Sequence, residues 1–255
     1  LFKIKKMREN EEKNIIFGIR PLEEALSKNT TFLKVYVQKG VGESLKFIKQ
    51  ILNKHHVIYT EVPIEKLNSL SRNGNHQGVV AKISPIKYYV AEELAKQLIE
   101  KDKEPCFIAL DRITDVRNFG AIARTAHAAG FAGVIIPEKN SVTVSEDAIK
   151  TSAGALLHLP VCRTGNFFQT IKHLKDEGFQ IICGSEKANK ELYFEPLTRP
   201  CVVVVGNEEE GIHPSILKLA NKLVKIPMNS ELDSLNVSVA AAIIMYEVVR
   251  QNMGE

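Results

Sequence analysis

At 255 residues, with 44% apolar and 25% charged content, the chain has the composition of a soluble globular protein of one large or two ordinary domains. A net charge of +4 admits an acidic partner such as RNA without requiring one. The longest apolar run, Val237 to Met245 around Ser238, is far short of the ~20 residues of a membrane span, and basic Leu1 to Arg8 lacks the apolar core of a signal peptide.

In chain order, residues 1–13 read as a basic tail. Asn14 to Phe17 predicts a short strand, and Pro21 suits the start of a helix through Leu26. Phe32 to Gln38 alternates as a strand, Ser44 to Asn53 has helical spacing, and Val57 to Val62 is a strand again. Ile64 to Leu70 predicts a helix, followed by the turn Arg72-Asn73-Gly74-Asn75 and a strand from Gly78 to Ile83. This makes a small α/β unit over 14–86. Residues 87–104 read as a linker, with a charged amphipathic helix over 91–99.

From residue 105 to 255, strands and helices alternate. Strands are expected at Cys106–Leu110, Gly133–Ile136, Leu159–Cys162, Gln180–Cys183, Val202–Val205 and Leu223–Ile226. Helices are expected at Asn118–Ala129, Ser145–Leu157, Phe167–Lys175, Ser215–Ala220 and Leu235–Arg250. Continuous β-branched runs between helices indicate a parallel sheet covered on both faces, with ligands beyond the carboxyl ends of the strands. Those ends are the loops starting at Asp111, Gly206 and Met228. The four cysteines sit in or beside apolar runs with no zinc spacing, so they read as reduced core thiols of a cytoplasmic protein, and no metal site is expected.

Neither G-x-G-x-x-G nor a P-loop follows any of these strands, which argues against an ordinary dinucleotide or nucleoside-triphosphate site. Asn118 reads as the N-cap of its helix. Arg124 stands in a small, apolar helix; it is either a surface arginine lying along that helix or a functional group. The last helix, polar only at Ser238, Tyr246, Glu247 and Arg250, must be buried, and a dimer interface is one way to bury it.

Three separated segments resemble one family. They are Asn118-Phe119-Gly120-Ala121-Ile122-Ala123-Arg124-Thr125-Ala126, Gly206-Asn207-Glu208-Glu209-Glu210-Gly211-Ile212, and Ile226-Pro227-Met228 with Ser234-Leu235-Asn236-Val237-Ser238-Val239-Ala240. Their order and spacing are similar to those of the SpoU (TrmH-type) RNA ribose 2′-O-methyltransferases of the SPOUT superfamily. The nearest type methylates a guanosine ribose of large-subunit ribosomal RNA. The resemblance implies a C-terminal domain with a deep trefoil knot, a small ribosomal-protein-like RNA-binding domain before it, and a homodimer. It implies S-adenosylmethionine as cofactor, bound at Gly206, Ile226, Met228 and Leu235, mainly through backbone groups.

The resemblance further implies catalysis by Asn118, Arg124, Glu208 and Asn236, with Glu208 orienting Arg124. Attack of a ribose hydroxyl on a sulfonium methyl needs the hydroxyl positioned and its proton removed. Two versions stand. Either Arg124 takes the proton, or it stays charged, clamps a phosphate and stabilises the alkoxide while water accepts the proton. Arg112 and Arg117 are expected to grip the RNA strand, and Ser234 to cap or assist. His76 is either an RNA contact or part of a hairpin turn. Glu209 and Glu210 read as a solvated acidic turn. Glu209 and Ser230 stand where the family commonly has glycine. The rival readings are a tRNA ribose methyltransferase and a non-catalytic RNA-binding protein on the same scaffold.

Overall fold

A computed structural model of the chain describes residues 14–28, 30–101, 103–229 and 234–253; the basic tail and Ser230 lie outside the described residues. The chain divides into two units between Lys87 and Tyr88.

In the first unit, the strands β1 (Ile15–Phe17), β2 (Phe32–Gln38), β3 (Thr60–Val62) and β4 (Val79–Ile83) form a sheet in the order β1-β4-β2-β3. β4 runs antiparallel to β1 and β2, while β3 is parallel to β2. The helices are α1 (Ile19–Ser27), α2 (Glu43–Lys54) and α3 (Ile64–Ser71). Leu22 and Leu26 of α1 and Ile48 and Leu52 of α2 close over Val35, Val37, Val79 and Ala81. This is the period-two and period-3.6 patterning of the sequence turned into one core. Two expectations shift. Helix α1 starts two residues before Pro21, which a helical first turn tolerates. The strand expected from Val57 begins only at Thr60, because the Val57 N–H closes α2 on the Leu52 carbonyl.

The second unit holds β5 (Tyr88–Tyr89), β6 (Cys106–Asp111), β7 (Gly133–Pro137), β8 (Val161–Thr164), β9 (Gln180–Gly184), β10 (Lys190–Glu191), β11 (Cys201–Gly206) and β12 (Lys222–Lys225). They form one parallel sheet in the order β10-β12-β9-β11-β6-β7-β8-β5. Residues 88–99, read as linker, are built into this unit: β5 pairs with β8, and α4 (Ala91–Ile99) buries Ala91 and Ala95 in its core. The other helices are α5 (Val116–Ala128), α6 (Glu146–Thr151), α7 (Phe167–Asp176), α8 (Pro214–Leu217) and α9 (Val237–Gln251). The helix expected over 145–157 breaks after Thr151, where Ala153 and Gly154 take positive φ and a 3-10 turn follows.

Strands β6, β9 and β11 are buried almost throughout, as their β-branched runs require. All four cysteines are buried free thiols, and burial pushes those of Cys162 and Cys183 up to about 12. No helix among the described residues is long and apolar enough to cross a membrane.

Helix α9 packs on α5 and β11. Its far end is anchored by a polar cluster. Glu247, 5% exposed, accepts from Arg250 Nε at 2.8 Å and Nη2 at 2.7 Å, and from Gln251 Nε2 at 2.8 Å. Gln251 in turn accepts from the Leu197 N–H at 2.8 Å and donates to the Glu195 carbonyl at 3.1 Å.

The hydrogen bonds from Arg250, with a smaller contribution from Gln251, hold the Glu247 carboxyl below its ordinary range. A depressed folded-state value means stability present above the unfolded pKa of about 4.3 and lost as pH falls through the folded value. Glu247→Gln should therefore lower the midpoint of thermal unfolding at pH 7. The gap from wild type should shrink as the pH falls from about 5. A gap that stays constant down to pH 3 would count against this assignment.

Candidate active site

The site is built on strand ends. In a parallel sheet, chain polarity brings the loops after the carboxyl ends together on one edge. Beyond the ends of β9 at Gly184, β11 at Gly206 and β12 at Lys225 lies a cavity of about 650 Å³, within the range of small-molecule sites. Gly206, Ile226, Met228 and Leu235 all line it, with Ser234 and Glu208. Gly184 and Ser185 also line it and lie outside the three segments singled out from the sequence. Their signal was a strand of the same parallel sheet ending in Gly-Ser.

Gly206 has a steric reason to be glycine. A Cβ there would lie 2.1 Å from the Gly211 carbonyl carbon and 2.3 Å from the Ile212 nitrogen. These are backbone atoms, so no rotamer change relieves the clash. The loop doubles back at this point, and the Gly211 N–H donates to the Asn207 carbonyl at 3.0 Å.

Beside the cavity three segments meet. The N-cap of α5 is Asp115, not Asn118: the Asp115 carboxylate accepts from the Arg117 and Asn118 N–H groups at 2.6 and 3.0 Å. Asp is as good a cap as Asn, and it stands one residue before the helix. The Asn118 side chain is thereby free to donate to Glu208 Oε1 at 3.2 Å. Asn236 Nδ2 donates to the same oxygen at 2.8 Å and to Asn118 Oδ1 at 3.0 Å. Asn236 also caps α9, accepting from the Ser238 N–H at 3.0 Å. Three of the four expected catalytic residues are thus in mutual contact.

Arg124 is not in that cluster. The expected Glu208–Arg124 bond is absent among the described residues; Glu208 bonds the two asparagines instead, through Oε1. Helix phase explains it. Six residues at about 100° each place Arg124 some 120° round α5 from Asn118 and about 9 Å further along. Arg124 is exposed, with no hydrogen bond or ion pair among the described residues.

The flanking arginines divide. Arg117 is exposed and its guanidinium has no bond among the described residues. Arg112, expected to grip RNA, is spent within the protein. It donates to Asp111, to the Gly211 carbonyl at 3.1 Å and to Glu210. Glu210 is exposed, as a solvated turn requires, and pairs with Arg112 as well, while Glu209 is exposed at the cavity.

In the first unit, His76 is 7% exposed, with Nε2 2.9 Å from Asn68 Oδ1 and Nδ1 accepting from the Gly78 N–H at 3.0 Å. Both ring nitrogens stitch the turn, which is the hairpin alternative.

These features define a class: an α/β domain with a cavity of small-molecule size at the carboxyl edge of a parallel sheet, beside a cluster of amide and carboxylate groups. The sequence pattern of the SpoU rRNA Methylase family matches residues 105–246, and the RNA 2′-O ribose methyltransferase substrate binding pattern matches residues 15–89. The chain belongs to the SpoU rRNA methylase family of RNA 2′-O-ribose methyltransferases.

A Staphylococcus saprophyticus protein named for the TrmH family of tRNA/rRNA methyltransferases is 36% identical over 242 residues, covering 94% of this chain and 96% of the relative. The AdoMet-bound rRNA methyltransferase from Sinorhizobium meliloti has a similar fold, with a TM-score of 0.61 at 23% identity, over 98% of this chain and 92% of that one. The A. aeolicus TrmH/SpoU tRNA modifying enzyme matches at 30% identity and a TM-score of 0.54, over 62% of this chain and 84% of its own.

Gly206→Ala should force the 206–212 turn apart. A cost of about 1–3 kcal/mol is the usual penalty for overpacking. It should be visible as a lower unfolding midpoint and as faster amide hydrogen exchange at residues 207–212. Unchanged exchange there would show that the turn accommodates a methyl group.

Proposed function

We propose that this chain transfers the methyl group of S-adenosylmethionine to a ribose 2′-hydroxyl of RNA, with a guanosine of large-subunit ribosomal RNA as the target. The observation that carries the reading is the Asn118–Glu208–Asn236 junction at the border of the cavity. The cavity fits the cofactor. It has the volume for a nucleoside with an amino-acid tail, and the apolar Ile226, Met228 and Leu235 surround it. The Glu208 carboxylate on its wall suits a sulfonium cation. When bound, the cofactor supplies an electrophilic methyl group.

The protein's own residues do the positioning. Glu208 fixes both asparagines, and Asn236, at the start of α9, is placed to hold the ribose where the cavity ends. Arg124, exposed and unpaired with any described carboxylate, remains charged, clamps an RNA phosphate and stabilises the alkoxide as water takes the proton. Arg117, one helical face-repeat before it, contacts a neighbouring phosphate. A C-terminal trefoil knot that forms the cofactor site belongs to the same reading.

The first unit favours ribosomal RNA. The S. meliloti rRNA methyltransferase aligns across both units, whereas the tRNA modifying enzyme aligns over 62% of the chain. A homodimer is part of the proposal. Val239 and Tyr246 are 47% and 49% exposed on one side of α9, with Ala242 and Ile243 half-buried between them, and a second copy would cover that side. The protein then works in the cytoplasm, where its RNA is.

Transfer of labelled methyl to purified ribosomal RNA and tRNA, followed by mapping of the modified ribose, tests the reading. Label in tRNA alone would move the substrate, and label in neither would remove the activity. Arg124→Ala should reduce turnover by about 100-fold or more while cofactor affinity stays within about twofold. Wild-type turnover by that variant would end the assignment of Arg124.

A further inference from the structure

Two loops frame the site, one after β6 and one after β11, and a set of polar contacts joins them away from the Glu208 junction. Asp111, 5% exposed at the end of β6, accepts from the His213 N–H at 2.6 Å and from Arg112 Nε at 3.2 Å. Arg112 spans the gap: its guanidinium donates to the Gly211 carbonyl at 3.1 Å and pairs with Glu210. Glu210 is held from below as well, its N–H donating to Asn207 Oδ1 at 2.7 Å. The residues on either side of this bridge are those of the site. Glu208 lies two positions before Glu210, and Gly206 packs on Gly211.

The backbone of Arg112 is itself strained where the bridge begins. Its φ is +60°, a left-handed conformation that costs an L-residue about 1 kcal/mol or more. A β-carbon residue persists there only where its surroundings over-determine it. The surroundings here are Asp111 on one side of the guanidinium and Glu210 with Gly211 on the other. The Arg112 side chain is 24% exposed and Glu210 is 64% exposed, so the pair is partly shielded on the arginine side.

We propose that Arg112 and Glu210 are positioning residues: their ion pair latches the 207–213 loop to the end of β6, and so sets where Glu208 presents its carboxylate to the two asparagines and to the cofactor cavity. Arg112 then has no part in gripping the RNA strand. The proposal rests on the methyl-transfer reading for its kinetic consequences and on the loop geometry alone for its structural ones.

The test compares wild type, Arg112→Ala, Glu210→Ala and the double variant as full-length protein. Each single variant should accelerate amide exchange at residues 207–213 and lower kcat/KM for S-adenosylmethionine by about two- to fivefold. The double variant should be no worse than Arg112→Ala, because the Glu210 side chain acts on the loop only through that arginine. The dissociation constant for ribosomal RNA should stay within about twofold in all three.

If Arg112→Ala weakens RNA binding while Glu210→Ala does not, Arg112 grips RNA and the latch is wrong. Additive losses, or exchange unchanged in both single variants, overturn it as well. Glu210→Ala carries the test by itself should Arg112→Ala not fold. A wild-type protein that methylates no RNA overturns the proposed function instead, and the exchange data still decide the latch.

Discussion

One carboxylate oxygen holds the site together. Glu208 Oε1 accepts from an amide 90 residues before it and from another 28 residues after it. Neither bond is strong by itself, because the groups are near solvent, where net hydrogen-bond energies are about 1 kcal/mol. What matters is that an oxygen with two donors fixes three segments by a common point. The first turn of α5, the loop after β11 and the cap of α9 can each drift only if the other two lose a bond. The arrangement acts on geometry more than on stability, and geometry is what a transfer between two bound molecules depends on.

The scaffold supplies what this junction cannot. Helices α5 and α9 pack on each other and on the sheet, so the two asparagines arrive on elements that do not bend with the loops. Helix α9 is fixed at both ends. Asn236 caps it at the site, and Glu247, Arg250, Gln251 and the 195–197 segment anchor it at the other. The loop after β11 has no such element of its own. It depends on the Gly206–Gly211 contact, on the Asn207 side chain and on Arg112.

Much of this was legible in the sequence. The buried strands announce themselves as β-branched runs, and the three segments that meet at the cavity were the three with family resemblance. What stayed hidden was of three kinds. Some of it was partner choice: Asp115 and Asn118 are equally good capping types, and only the helix start at Val116 decides between them. Glu208, Glu209 and Glu210 are three identical side chains in a row. One binds asparagines, one faces solvent and one pairs with Arg112, and that sorting is set by the path of the loop. Some was phase. A count of six residues from Asn118 to Arg124 already places them on different sides of a helix, which separates the arginine from Glu208 before any coordinates are known. Gly184 was missed for a third reason: a strand that ends in a small residue carries no chemistry until its neighbours are known.

The contact between Gly206 and Gly211 bears on how this loop can vary among descendants of the same gene. Every replacement at Gly206 adds at least one carbon, and that carbon meets main-chain atoms. No neighbouring side chain can be trimmed to make room. A single replacement at this position therefore carries the cost of displacing main chain. Rerouting the 207–213 segment as a whole would remove that cost, whereas Glu209, facing solvent, can change one residue at a time without it.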